Sequence, residues 1–443
     1  MKKKVFNSNS QFILQCIFIL FIGVLQSYAQ ETLTLEEAVK IALENNYDIK
    51  LSKNNLKIDE TNVAIGNAGM LPKVTALALD NNTHQNLSQT RTDGIVNSLD
   101  NAKNSNWNYG VSLDWTIFDG FKMFAKLDQL KALQKLGETE LKQAILSKIS
   151  AIHSTYFSLA EQQQQLAALD STIVISNQRL NLTKNRYSIG KASKLEVLNA
   201  EVDLNTDTST LLKEKELYTN TKILLNQILA RKSAIDFKVS DEISVNNNLV
   251  LPELWDLASK QNPQLELLIV NKQISELQLK QIKGNRYPTV KVNTGYSFAE
   301  TRSQLGFTSQ TSANGLNYGI SASLNLFDGW AQNRNEKIAK IDIDNTKIAI
   351  EQQKQNLDSQ LATVFQTYST SLLLMELEEK NEAIAKQNLD ITFDKFKIGT
   401  INTLEFRTAQ LNYVNAKVRN NNAKFQAKLS EISLKELAGN LSF

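Results

Sequence analysis

One series of short motifs occurs twice along this chain, and that duplication limits the possible folds more than any other feature. Leu33-Thr34-Leu35-Glu36-Glu37-Ala38 aligns with Leu249-Val250-Leu251-Pro252-Glu253-Leu254 at an offset of 216 residues, and Leu71-Pro72 aligns with Tyr287-Pro288 at the same offset. Ile117-Phe118-Asp119-Gly120 then matches Leu326-Phe327-Asp328-Gly329 at 209, as do Tyr187-Ser188-Ile189-Gly190 with Phe396-Lys397-Ile398-Gly399 and Leu195-Glu196 with Leu404-Glu405. The change of offset places a deletion between Pro288 and Phe327, where a surface loop tolerates one. The period is too long for a solenoid, so the sequence reads as a duplicated half-protein.

Each copy follows one grammar. Thr34 and Glu37 form a capping box that opens a helix, and Leu35, Ala38, Val39, Ala42 and Leu43 follow at helical spacing. In the second copy Pro252 takes the helix-start role, where its missing N–H goes unmissed. The helix is expected to run to about residue 70, ended by Pro72 or, in the second copy, Pro288. Two strands follow, then a very long helix, a glycine turn and a returning helix.

The strands alternate strictly. Trp107, Tyr109, Val111, Leu113, Trp115 and Ile117 are separated by Asn108, Gly110, Ser112, Asp114 and Thr116. Leu316, Tyr318, Ile320, Ala322, Leu324 and Leu326 repeat the pattern, Val290 to Phe298 resembles it, and Val74 to Leu79 is a weaker version. Alternation over about ten residues marks a transmembrane β-strand with one face to lipid and one to a polar lumen; soluble strands average about 5–6 residues. The Asn-, Ser-, Thr- and Gln-rich stretches at 80–106 and 299–315 suit long external loops. Four strands cannot close a barrel, and an open edge in lipid leaves backbone groups unsatisfied. The chain must therefore oligomerise if these strands span a membrane. Two copies supply eight strands and a filled interior; three supply twelve and room for a lumen.

From Met123 to Tyr187 the long helix covers roughly 95 Å at 1.5 Å per residue. Ile145, Ile149, Ile152, Tyr156, Leu159, Leu166, Leu169 and Ile173 step along it at coiled-coil spacing. The returning helix, 192–231, covers roughly 60 Å and the 44–70 stretch roughly 40 Å, so two short helices in series match one long one.

Residues 1–29 read as a secretory signal: Lys2–Lys4, an apolar run from Phe12 to Leu25, and Ser27-Tyr28-Ala29 before Gln30. Without that segment the 49 Lys+Arg and 46 Asp+Glu of the whole chain balance, because three of the lysines lie in it. A dedicated nucleic-acid binder would keep a net basic face. Cys16, the one cysteine, also lies there, and His84 and His153 are the two histidines. This leaves no cysteine chemistry in a mature chain and too little histidine for a His-rich metal site. Gly190-Lys191 lacks the rest of a phosphate loop, and no H-E-x-x-H or G-x-S-x-G occurs. His153 reads as a packed or solvent-facing helix residue. No enzyme and no cofactor are expected.

Taken together, the opening LTLEEAVKIALENN, Asn262-Pro263, the Leu71-Pro72 and Tyr287-Pro288 junctions, the two Phe-Asp-Gly strand ends and the turns RYSIGKASKLEVLNAE and KFKIGTINTLEFRTAQ resemble the TolC family of outer-membrane efflux proteins over essentially the whole mature chain. The resemblance implies an α+β membrane fold: a long antiparallel coiled-coil helical barrel crossing the periplasm, plus four transmembrane β-strands per chain that close a twelve-stranded barrel in a homotrimer. It implies two repeats, 30–231 and 249–443, joined by an equatorial-band linker at 232–248. It also implies a passive export channel for small molecules or proteins. Its partners would be a periplasmic adaptor, an inner-membrane pump of the RND or ABC type, and outer-membrane lipid. The two glycine turns become the periplasmic tip, where Tyr187, Gly190, Leu195, Phe396, Gly399 and Leu404 pack the turns and meet the adaptor. Glu405, with Glu196 and Arg407, becomes the periplasmic aperture. The family's second-half turn often carries two aspartates; here Glu405 matches the first, Thr408 stands at the second, and Arg407 lies between. A periplasmic adaptor or a non-channel envelope scaffold is the competing reading. Four prolines and the duplication argue against the adaptor, and the alternating strands argue against the scaffold.

Overall fold

The computed structural model describes residues 32–305 and 308–441. The signal expected at 1–29, with Cys16, lies outside the described residues. In chain order the elements are β1 (Thr32–Leu33), α1 (Leu35–Asn45), α2 (Tyr47–Asn62), β2 (Lys73–Thr90), β3 (Val96–Phe118), α3 (Lys122–Ser188), α4 (Lys194–Ile228), β4 (Lys238–Val239), α5 (Leu251–Gln261), α6 (Pro263–Gly284), β5 (Thr289–Ser303), β6 (Gln310–Ser323), α7 (Ala331–Ile398) and α8 (Thr403–Leu437). The sequence helix, helix, strand, strand, long helix, helix thus occurs twice. The described residues fold as two compact units, one made of those up to Tyr47, Ile145–Ala258 and those from Ser359 on, the other of Asp48–Ala144 and those between Ser259 and Asp358.

In the first unit the Thr34–Glu37 capping box forms as expected: the Glu37 N–H donates to Thr34 Oγ1 at 3.2 Å and the Thr34 N–H to Glu37 Oε2 at 3.0 Å. The opening helix does not run on to residue 70. It breaks at Asn46, whose backbone turns extended and whose side-chain amide donates to the Ile228 carbonyl at 2.8 Å, capping the end of α4. The second copy breaks at the equivalent Asn262, whose side chain accepts from the Leu265 N–H, with Pro263 at the first helical position. Along α3 the heptad residues Ile149, Ile152, Tyr156, Leu159 and Leu169 are buried, while Ile145, Leu166 and Ile173 are half-buried at its margins. Most of this seam joins Leu33, Val39, Leu225, Leu229, Phe237 and Ile432 in one apolar core. The short β1 pairs in parallel with β4, which lies within the 232–248 linker. Tyr156 pins that pair by donating to the Leu33 carbonyl at 2.9 Å and accepting from the Ser240 N–H at 3.1 Å.

The second unit holds a four-stranded antiparallel sheet in the order β2-β3-β5-β6, with β2 and β6 at its edges. The strands are longer than the alternating pattern indicates. The stretch 80–106, expected as a loop, continues as β2 and β3 and turns only over 91–95; residues 299–303 and 310–315 are likewise strand. Backbone pairing needs no apolar side chain, and the ladder from Asp80↔Trp107 to Thr90↔Val96 carries on through polar residues, with one bulge between Gln85 and Leu87. At the other end β6 stops at Ser323, short of Leu326, because its partner β5 begins at Thr289, directly opposite Ser323. Tyr109 stacks on Phe298 across β3 and β5 at 4.8 Å, which fixes the aromatic face.

In this unit α2 also ends earlier than expected, at Asn62, before the turns that carry Gly66 and Gly69, while α6 runs to Gly284, close to Pro288. Gly137 in α3 lets α2 approach: a β-carbon there would lie 2.6 Å from Asp59 Oδ2. The first Phe-Asp-Gly turn seats against the end of α6, where a β-carbon on Gly120 (φ +74°) would lie 2.2 Å from the Gly284 carbonyl oxygen. Its counterpart Gly329 has nothing within 4 Å.

Candidate tip and aperture

Both glycine turns lie in the first unit and share one backbone design. The Lys191 N–H donates to the Arg186 carbonyl and the Gly190 N–H to that of Tyr187, while the Thr400 N–H donates to the Lys395 carbonyl and the Gly399 N–H to that of Phe396. These are Schellman motifs, whose residue after the helix needs positive φ; Gly190 has φ +76° and Gly399 φ +85°. Each return helix then opens on a cap. Ser193 Oγ accepts from the Glu196 N–H at 3.2 Å, and the Glu196 carboxylate accepts from the Ser193 N–H at 3.0 Å. Asn402 Oδ1 accepts from the Glu405 N–H at 2.9 Å, and Asn402 Nδ2 donates to Glu405 Oε1 at 2.9 Å. Both glutamates are thus held in the first turn of a helix, where its positive end favours a carboxylate.

The side chains expected at the tip divide. Tyr187, Leu195 and Leu404 are exposed, and Lys194 lies over the Tyr187 ring at 5.8 Å. Phe396 is 1% exposed. It stacks on Phe406 at 5.1 Å, beneath the Arg186 guanidinium at 5.1 Å, in a cluster with Leu389, Phe393 and Tyr413. Phe396 therefore packs the turn and presents no surface to a partner, which corrects its expected share in a docking face.

Arg407 is also turned inward. Its Nη1 and Nη2 each donate to an Asp207 carboxylate oxygen at 2.8 Å, and Nη1 also donates to Gln410 Oε1 at 3.1 Å. Asp207 accepts in addition from Ser176 Oγ at 2.6 Å, and Gln410 Nε2 donates to Ser176 Oγ at 2.8 Å. Beside this pair, Arg179 Nη1 lies 2.7 Å from Asp203 Oδ2, and Arg179 Nε donates to Thr403 Oγ1 at 2.9 Å. Two arginines and two aspartates thus neutralise one another, tying α3, α4 and α8 together in a largely buried network. Burial opposes the Arg407 charge, but Asp207 outweighs it and the pKa is raised; for Arg179 burial wins and the pKa is lowered. Of these residues only Arg407 stands out in the sequence. The overlooked signal is Asp207 itself, which falls on the stripe Val197, Ala200, Leu204 and Leu211 that buries α4.

Elsewhere in this unit, burial and the nearby Lys428 and Lys435 push the His153 imidazole down to about 4, so it is neutral at pH 7. Burial, reinforced by Glu214, pushes Glu161 up to about 7. Among the described residues, no group of His, Cys, Asp and Glu could hold a metal ion, and no helix is long and apolar enough to cross a membrane.

The model of the outer membrane efflux protein family matches residues 38–231 and again 254–440. Outer membrane protein TolC of Escherichia coli (strain K12) is 23% identical over 361 residues, which cover 77% of this chain and 71% of that protein. Outer membrane efflux protein BepC of Brucella suis biovar 1 (strain 1330) is 18% identical over 448 residues, 100% of this chain and 93% of that protein. Among solved structures, the outer-membrane channel OprN superimposes with a TM-score of 0.77 at 17% identity, covering 92% of this chain and 90% of that one. The Campylobacter jejuni CmeC outer membrane channel does so with 0.75 at 18%, covering 92% and 85%. With the family model spanning most of its length in two consecutive matches, the chain belongs to the outer membrane efflux protein family.

Proposed function

We propose that the chain, an outer-membrane efflux channel by family, works as a homotrimer whose three sheets close one twelve-stranded barrel, and that its helices continue the conduit through the periplasm. The observation that carries this reading is the sheet itself: an aromatic face suited to lipid, with β2 and β6 left as edges. Edges in lipid must be paired. Within one chain the two copies join through β3 and β5; the equivalent junction between chains joins β6 to β2 of the next. The empty surroundings of Gly329 fit the same scheme. Gly120 packs on Gly284 and Phe121 on Tyr287, and the corresponding surface for Gly329 and Trp330 is the Ala68–Leu71 segment of a neighbouring copy. On α7, Leu377, Ile384, Ile391 and Ile398 form an exposed heptad stripe of the kind a second helix covers.

The two repeats would be 30–231 and 249–443, with 232–248 as the equatorial linker. Transport through such a conduit is passive. Energy would come from an inner-membrane pump of the RND or ABC type, coupled by a periplasmic adaptor that docks on Tyr187, Leu195 and Leu404 around the Gly190 and Gly399 turns. Glu405 would line the aperture, with Glu196 as its counterpart on the first hairpin. Arg407, locked onto Asp207, would hold the hairpins together and leave the Glu405 charge uncompensated. Cation selectivity unchanged by Glu405→Ala would remove Glu405 from the aperture. For the assembly, one cysteine in β2 and one in β6 of the same chain, joined by a short bis-thiol cross-linker in membranes, should give a ladder ending at three chains. A ladder that stops at two would exclude the trimer.

A further inference from the structure

The polar face of the sheet carries little charge, and that charge is concentrated at one end. Lys73 on β2 stands directly opposite Asp114 on β3. Asp114 is opposite Asn293, and two residues along β5 Lys291 lies between Thr116 and Ser321. Residues directly opposite one another share a face of the sheet, so Lys73, Asp114 and Lys291 all belong to the face away from the lipid-side residues Val74, Trp115 and Val292. All three are exposed in the single chain. Beyond this level the same face carries no charge up to the bulge between Gln85 and Leu87 and is built mostly of Asn, Ser, Thr and Gly, with Leu77, Leu79, Ala102, Ala299 and Ala313 among its apolar members. Asp114 is the direct partner of Lys73 and reaches Lys291 only on the diagonal, where neighbouring residues are roughly 7–8 Å apart. The set therefore keeps one net positive charge per chain, centred on Lys291.

Beyond the strand ends, neighbouring charged groups are held in local bonds at the helix starts, and of these Arg286 alone is paired with an opposite charge. The Asp119 and Asp328 carboxylates accept the Met123 and Gln332 N–H groups at the starts of α3 and α7, at 3.2 and 2.8 Å. Arg286 is paired with Glu336, and Lys122 Nζ donates to Asn285 Oδ1 at 3.0 Å.

We propose, on the trimeric reading above, that Lys73, Asp114 and Lys291 of three chains form a charged collar at the helix-side end of an otherwise neutral bore, and that it favours anionic solutes such as carboxylates and phosphate or sulfate esters. A ring of like charge in a narrow lumen raises the local concentration of the opposite ion, because the low-dielectric wall focuses its field. The collar discriminates by charge without a binding pocket, as a conduit requires: the solute must leave as readily as it enters.

The test uses the full-length protein in planar bilayers under a KCl gradient, reading the reversal potential. Lys291→Gln should lower the chloride-to-potassium permeability ratio by roughly twofold or more, Lys73→Gln should lower it less, and Asp114→Asn should raise it. In Lys291→Cys, a cationic methanethiosulfonate should restore the wild-type ratio, while Val292→Cys, on the lipid side, should not respond. A trimer that conducts but whose reversal potential ignores all three neutralising variants overturns the collar and leaves the trimer standing. So does one that responds at Val292→Cys and not at Lys291→Cys. A single-chain particle without conductance removes the trimer and the collar together.

Discussion

The two hairpin tips share a backbone design and differ in what they bury. Each ends its long helix in a Schellman turn on a glycine, then caps the return helix with a polar residue three positions before a glutamate. Yet Tyr187 is 46% exposed where its counterpart Phe396 is 1% exposed, and Leu198 is exposed where its counterpart Arg407 is buried against Asp207. The first tip also lends a side chain to the second. Arg186 lies over Phe396, in space that Gly399 leaves open: a β-carbon at Gly399 would stand 2.5 Å from Arg186 Nη2. The two tips keep the same turn chemistry, which is local, while the tertiary surroundings decide which side chains face inward. The second tip is the structural anchor, and the first supplies most of the exposed surface.

The largest effect should come from giving the second tip the residue of the first. Arg407→Leu leaves Asp207 buried without its charge partner and should cost about 3–5 kcal/mol, as for other broken buried pairs. The double variant Arg407→Leu/Asp207→Leu should recover much of the loss. Thermal unfolding in detergent measures both, and equal losses would mean that the ion pair is not what ties the hairpins. Next, Phe396→Ala should cost about 3–5 kcal/mol, as buried aromatic truncations do, and Tyr187→Ala about 0.5 kcal/mol or less. Hydrogen exchange at the amides of the two turns separates them, and similar deprotection by both variants would erase the anchor-and-surface distinction. Where the tips share their design the costs should converge: Ser193→Ala and Asn402→Ala should each lose about 1 kcal/mol of cap stability. The smallest difference lies at the glycines. Gly190→Ala and Gly399→Ala should each cost about 1 kcal/mol for positive φ. Gly399→Ala should lose a further ~0.5 kcal/mol by displacing Arg186 from the Phe396 ring. A Gly190→Ala cost above that of Gly399→Ala would contradict the packing assigned to Arg186.

The long helices were legible because a heptad seam such as Ile149, Ile152, Tyr156 and Leu159 imposes a period that survives over many turns. The turns are legible because positive φ calls for glycine, and the opening helix because Thr34 and Glu37 form a capping box. The outer halves of β2 and β3 were not, since a ladder of backbone hydrogen bonds through Asn81, Asn82, Ser105 and Asn106 leaves no alternation in hydrophobicity. The break at Asn46 was hidden because its amide caps α4, 182 residues away in sequence. At the tip, Glu196 and Glu405 were visible as matched acids, but their capping bonds were not drawn from the pattern. The role of Arg407 depends on Asp207, Asp203 and Ser176, which only folding brings beside it.

On the trimeric proposal, the open edges β2 and β6 find their partners in other copies of the same chain. The most direct measurement is the protein mass of the particle extracted from outer membranes in mild detergent, by light scattering corrected for bound detergent. Three chains per particle is the predicted result. One chain per particle, soluble after the detergent is removed, would contradict it, because the aromatic face of the sheet and its two free edges would then lie in water.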